Sequence, residues 1–299
     1  MILIRYTQDG LKRPVDLSGL FSGQTAFLVG GSPSLLEQPY KLLEQRGVLS
    51  MAMNNAARLI RPSLWICGDS PNCYEPRILL DATILKFAPV SWAESKADLF
   101  CDGRAFRSFP NTLFYLQKEG VAWDEFLGER AEAPWYSNTL LTSIHVLYML
   151  GVRRIVLAGS DLMIRVAADY AHGQQLGSLE KKWNLDLYNH LVKELRMMKP
   201  LFDRAGLELI DSSKNSRIAQ VYKRMELDEA VELALAGFPK AEVPASDLPH
   251  CSRYAPRHIK EAIAEWPGRQ QSIGRTDTPT PENPELQAKT EKVNLQSVI

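Results

Sequence analysis

Small and polar residues recur in this chain where apolar runs stop. Gly30-Gly31-Ser32-Pro33-Ser34 follows the apolar run at 25–29. Glycines at the carboxyl end of a buried strand let the backbone approach a phosphate. The start of a following helix would add unpaired N–H groups. The segment is neither GxGxxG nor a P-loop, because no GK[ST] follows. A tight turn with a helix cap from Ser32 or Ser34 would use the same residues.

Three further segments have the same character. Asn54-Asn55 ends the next apolar run, and an Asn offers both a donor and an acceptor to a ribose or base edge. Asp69 follows the third run, after Gly68. A carboxylate there can accept from ribose hydroxyls or hold a metal beside a diphosphate, although an Asx-turn asks for the same residue. Gly159-Ser160-Asp161 closes a fourth run, which makes Gly159 and Ser160 candidate donor-binding residues and Asp161 a candidate catalytic one. Tyr136-Ser137-Asn138-Thr139 opens a helix. Ser137 suits its N-cap, and Asn138 and Thr139 could hold a phosphate or carboxylate there.

Two histidines are candidates for proton transfer at neutral pH. His172 lies in a polar, glycine-containing loop two residues after Tyr170, and His190 lies in a helix near Tyr188. His145, His250 and His258 carry little signal.

The elements that must position these residues alternate strand and helix. Apolar runs at 25–29, 48–53, 64–67, 154–158 and 207–211 read as buried parallel strands. Leu35, Leu36, Leu42 and Leu43 predict the apolar face of a helix between the first two. Residues 137–150 predict a second helix, 179–205 a long one interrupted near Pro200, and 227–236 another. Short strands are expected at 84–89 and 98–101, and residues 113–127 predict a helix or a lid-like loop. The rhythm is that of an α/β protein, a mostly parallel sheet with crossover helices.

Composition narrows the function classes. The chain has 299 residues, 45% of them hydrophobic, and equal numbers of basic and acidic side chains. A zero balance argues against coating nucleic acid through counterion release. The four cysteines form no CxxC pair and are expected to be free thiols in a reducing compartment. No signal peptide or membrane-length apolar stretch is read, so a cytoplasmic location is expected. Residues 1–238 are expected to form the α/β domain, with 76–135 as an acceptor or lid insertion. Residues 239–299 form a C-terminal extension, and 268–299 have the composition of a disordered tail.

The order FLVGGSPSL, MNNA, LWICGDSP, YSNTLLTSIHVLYMLGVRRIVLAGSDL, YAHG resembles a superfamily of Rossmann-like transferases. Its members include bacterial sialyltransferases, motility-associated-factor flagellin glycosyltransferases and archaeal 6-hydroxymethylpterin diphosphokinases. The resemblance covers roughly residues 23–220. It implies that Gly30, Gly31, Ser32 and Asn54 contact the nucleotide of a donor, and that Asn138 and Thr139 touch its phosphate or sugar carboxylate. His190 falls near the position of the sialyltransferase base, whereas His172 matches the Tyr-x-His pattern of the other two branches. The sialyltransferase turn carries Asn where Gly31 stands, and its Thr-Ser pair is Asn138-Thr139 here. A compact chain with a polar tail also resembles proteins encoded by tailed bacteriophages, for which the location would be the host cytoplasm.

The leading expectation is a glycosyltransferase-like enzyme, without a required cofactor, that moves a sugar from a CMP- or UDP-linked donor to a hydroxyl acceptor. The acceptor classes are a glycan, a protein or a modified nucleobase, and a homo-oligomer is expected. One rival is a Mg²⁺-dependent diphosphokinase using ATP, with Asp69 and Asp161 as metal ligands. The other is a non-catalytic nucleotide-binding or phage assembly protein.

Overall fold

A computed structural model of the chain describes residues 3–7, 9–97, 103–118, 127, 133–134, 138–165 and 169–236. The chain opens with a hairpin of β1 (Leu3–Tyr6) and β2 (Lys12–Val15). The sheet is then built by β3 (Thr25–Val29), β4 (Leu49–Met53), β5 (Leu64–Ile66) and β6 (Leu85–Pro89). Two short pieces, β7 (Lys96–Ala97) and β8 (Arg104–Ala105), pair with each other. They are followed by β9 (Thr112–Tyr115), and by β10 (Gln117–Lys118) paired with β11 (Ala133–Pro134). The sheet is completed by β12 (Arg154–Ala158), β13 (Glu208–Asp211) and β14 (Lys223–Arg224). Helices are α1 (Pro76–Leu80), α2 (Thr139–Met149), α3 (Ser178–Arg204) and α4 (Leu227–Ala236).

Ten strands form one sheet in the order β14-β13-β12-β3-β4-β5-β6-β9-β1-β2. Every pairing from β14 to β9 is parallel, and the two pairings of β1, with β9 and with β2, are antiparallel. The expected α/β class therefore holds. Parallel central strands are covered on both faces, which is why their sequences read as continuous apolar runs. Phe27, Val29 and Trp65 face one core with Ala230 and Val231 of α4. Leu28, Met51 and Ile66 face the other with Ile144 of α2 and Leu195 of α3.

Three expectations change. The crossover after β3 is not one helix but two 3₁₀ turns, Pro33–Glu37 and Tyr40–Glu44. Pro39 sits between them without an N–H to continue the ladder, and it pushes Gln38 into extended backbone. α3 runs through Pro200 without a break. One lost backbone bond is tolerated there because Met198 and Phe202 anchor the last turns in the core. Residues 112–115 and 117–118 are strand where a helix or a lid-like loop was expected. The expected strand at 98–101, most of the 119–137 segment and the whole extension from 239 lie outside the described residues.

At the amino end of β6, a lysine is fully buried. Lys86 Nζ donates to the carbonyls of Asp81 at 2.5 Å, Pro110 at 2.8 Å and Ile84 at 3.2 Å. Burial pulls its pKa down to about 7, with the nearby Asp81 charge opposing. From about pH 7 upward the folded protein releases this proton, giving up one of the three N–H donors, while the unfolded chain holds it up to 10.5, so folding stability rises with pH. The rise ends near pH 9, where Cys67 and Cys73, both raised by burial, begin to act in the opposite sense. Urea unfolding at pH 7 and pH 9 is expected to give the higher midpoint at pH 9, and Lys86→Met to flatten the difference. Equal midpoints in the native protein would refute this role of Lys86.

Candidate functional site

Strand order places β12 beside β3, with β4 on the other side of β3. The chain thus reverses its direction of travel across the sheet between β3 and β12, and open α/β sheets bind ligands outside such a point. A cleft of about 700 Å³ opens there. Gly30, Gly31, Ser32, Asn54, Asp69, Asn138, Thr139, Gly159, Ser160 and His172, all candidates from the sequence, line it.

The floor is the pair of turns after β3 and β12. Gly30 N–H donates to Ala158 O at 2.8 Å, and Ser32 N–H to Gly159 O at 2.9 Å. The backbones are so close that a Cβ on Gly30 would lie 2.4 Å from Gly159 O and 2.8 Å from Ser160 Oγ. Gly159 adopts φ +63°, where glycine has no steric penalty. The turn after Ser32 is a five-residue 3₁₀ turn, so the long-helix N-terminus expected to hold a phosphate is absent. Close backbone approach remains.

One wall is a network centred on Asn54, which has left-handed backbone, φ 48°. Its Nδ2 donates to Thr139 Oγ1 at 3.2 Å. Its Oδ1 accepts from Tyr74 OH at 3.0 Å and from Gly68 N–H at 3.4 Å. Trp65 Nε1 donates to its carbonyl at 2.9 Å. Asn54 is therefore mostly engaged in joining the ends of β4 and β5 to the start of α2. Tyr74 OH also contacts Asp69 Oδ2 at 3.4 Å. Burial lifts the Asp69 carboxyl above the usual range, against the Tyr74 hydrogen bond. The N-cap of α2 is Asn138, whose Oδ1 accepts from Leu141 N–H at 2.8 Å; Ser137 lies outside the described residues.

A second group of lining residues carries the histidine. The loop ahead of α3 is tied down twice. Ala171 N–H donates to Gly31 O at 2.8 Å. Asp169 Oδ2 accepts from Leu176 N–H at 2.8 Å, and its Oδ1 pairs with Lys181 at 3.1 Å. Between these anchors His172 stacks on Tyr170, centroids 5.1 Å apart. Its Nε2 lies 3.1 Å from Gln174 Oε1. Nδ1 is buried without a partner and lies 3.6 Å from where a Gly31 Cβ would stand. Burial lowers the imidazole pKa and Arg58 adds to this, against Gln174 and Glu75, so the ring is neutral at pH 7.

Three candidates do not reach the cleft. His190 sits on the outer face of α3, its side chain 64% exposed, and pairs with Glu194 at 2.7 Å. It does not point inward because positions 184, 187, 188 and 191 form the cleft-facing side of the helix. Asp161 is fully buried behind the Gly30 turn, where it accepts from the Ser34 hydroxyl and pairs with Arg165 at 3.1 Å. Ser34 is buried with it. An Asp69–Asp161 pair of metal ligands thus has only Asp69 in the cleft.

Several lining residues escaped the sequence reading: Arg58, Tyr74, Gln174, Asn184 and Tyr188. Arg58 is the one Lys or Arg lining the cleft among the described residues, and Glu75 holds its Nε at 2.7 Å. Its signal was position alone, four residues beyond Asn54 in the turn after β4. Burial raises the phenols of Tyr170 and Tyr188 above their ordinary range. Cys67 and Cys73 are free thiols; Cys101 and Cys251 lie outside the described residues. Among the described residues no helix is long and apolar enough to cross a membrane.

No family model matches the chain, and no curated protein does. Two solved structures are similar to it. One is the MAf glycosyltransferase from Magnetospirillum magneticum AMB-1, at 12% identity and TM-score 0.40. That match covers 81% of this chain and 37% of the other, so the present chain spans little more than a third of that protein. The second is the sialyltransferase CstII from Campylobacter jejuni, in complex with the substrate analogue cytidine-5′-monophosphate. It has 15% identity and TM-score 0.41, covering 68% of this chain and 85% of that one.

Proposed function

We propose that the cleft binds a nucleotide-activated sugar and transfers the sugar to an acceptor hydroxyl, with His172 as general base. The observation that carries this reading is the enclosure of a neutral imidazole against Gly31, in a cleft that Asn54, Asp69 and Thr139 also line. The acceptor oxygen attacks the anomeric carbon, its proton passes to the imidazole, and the bond from that carbon to the donor phosphate oxygen breaks. The electron pair leaves with the nucleotide phosphate. Arg58 and the tyrosine hydroxyls of 170 and 188 are the groups at hand to stabilise that leaving charge. The Gly30-Gly31 turn admits the phosphate closely, and Asp69 accepts from ribose hydroxyls. Holding both reactants in one enclosed site supplies much of the remaining gain.

The diphosphokinase reading is weaker because Asp161 is occupied by Ser34 and Arg165. A thermal-shift screen with CMP, UDP, GDP, ADP and ATP, each with and without Mg²⁺, tests the proposal. A ligand at about 100 times its Kd adds roughly 2.7 kcal/mol, a readily measured rise in Tm. A metal-independent shift with CMP or UDP is the expected result and names the donor class. A shift with ATP and Mg²⁺ alone would favour the kinase. No shift with any of them would remove both enzyme readings and leave an assembly role.

A further inference from the structure

We infer that Asp161 is a positioning residue: its buried carboxylate, acting through Ser34 and Arg165, fixes the Gly30–Ser34 turn that floors the cleft. The consequence for ligand binding rests on the proposed nucleotide reading; the mechanical claim does not.

Asp161 and Ser34 are fully buried and neither lines the cleft, so neither is placed to touch a substrate. What Asp161 touches is the turn itself. Its backbone N–H donates to Ser32 Oγ at 3.1 Å, and its Oδ1 accepts from the Ser34 hydroxyl. Two of the three residues after Gly31 are thereby tied to one residue beyond β12. The strap then widens. Arg165 joins Asp161 Oδ2 to Glu37 at the end of the same 3₁₀ turn, and its Nη2 donates to Lys214 O at 3.1 Å. Lys214 Nζ returns to Glu37 O at 2.8 Å. Arg217 N–H donates to Asp161 O at 3.1 Å. Loops after β3, β12 and β13 are thus locked together around one carboxylate. A turn of two glycines and a five-residue 3₁₀ turn has few bonds of its own. Its geometry must be imposed from outside, and Asp161 is the residue that contacts it at two points.

Hydrogen exchange on the full chain tests this, with CMP and UDP affinity measured alongside. Asp161→Ala is expected to speed amide exchange across residues 30–37 by about tenfold, while α2 and α4 keep native protection. Asp161→Asn keeps an oxygen acceptor for Ser34 but loses the charge on Arg165, so its effect falls between. Ser34→Ala, which leaves the carboxylate–arginine pair intact, is expected to act in the same direction and serves if Asp161→Ala does not fold. Affinity for the bound nucleotide falls in parallel, about tenfold in Asp161→Ala. Unchanged exchange at 30–37 in both Asp161→Ala and Ser34→Ala would overturn the inference. So would a rise spread evenly over the whole chain, which would make Asp161 a general stabilising residue. If the exchange pattern appears as expected but the native protein binds no nucleotide, the strap stands and the functional reading fails.

Discussion

His172→Asn is expected to lower sugar transfer by about 10²–10⁴-fold while changing nucleotide affinity little, which is the usual loss when a positioned general base is removed. Asn keeps a polar group near Gln174 and Gly31 but cannot take a proton at neutral pH. The split between turnover and affinity follows from the proposed roles: the sheet-edge turns would hold the donor nucleotide, and the imidazole in the same cleft would take the acceptor proton. His190→Asn is the control and is expected to be silent, because that ring faces solvent beside Glu194. The pH profile has a definite sign. The base must be neutral, so the rate falls on acidification through a pKa below the ordinary 6.5, in the direction that burial imposes on His172. Steady-state kinetics with the donor identified by the thermal screen checks all three points. Full turnover in His172→Asn, or a large loss in His190→Asn, would transfer the base role away from His172.

The second large effect concerns the floor of the cleft. Gly30→Ala is expected to destabilise the fold by about 3 kcal/mol or more. The new methyl would lie 2.4 Å from the carbonyl oxygen of Gly159. That oxygen cannot move aside easily, since it accepts the Ser32 N–H and its residue directly follows β12, the strand neighbouring β3. Gly31→Ala makes the contrast. Its methyl would meet Tyr170 Cδ1 at 3.5 Å and His172 at 3.6 Å, which is ordinary packing distance. It should cost under about 1 kcal/mol, yet add bulk beside the imidazole. Denaturant unfolding of the two variants separates adjacent glycines with different duties. Equal stability losses would show that the turn can shift as a unit and that the Gly30–Gly159 approach is not a rigid constraint.

The α/β class and the cleft's location were legible because both follow from short-range patterns. Continuous apolar runs such as Thr25–Val29 and Arg154–Ala158 can be buried on two faces only in a covered parallel sheet. Whatever follows such strands collects at one edge, so Gly30, Asn54, Asp69 and Ser160 were gathered by topology alone. The single helix expected after β3 fails at Pro39, which the apolar spacing of Leu35, Leu36, Leu42 and Leu43 does not register. What each side chain does at that edge was decided by its neighbours in space, some of them more than a hundred residues away in sequence. Asp161 has the same sequence credentials as Asp69. One is turned inward to Ser34, the other toward the cleft, because the Gly30 turn packs over the first and Tyr74 flanks the second. His172 and His190 were indistinguishable as titrating groups. Helical phase put His190 on the solvent side of α3, while the Ala171–Gly31 hydrogen bond drew His172 against the turn. Local apolar patterning thus determined the central parallel strands and the edge where their loops meet, since it dictates which segments must be buried. Tertiary structure alone assigned the side chains there, since orientation depends on contacts between segments that no local pattern encodes.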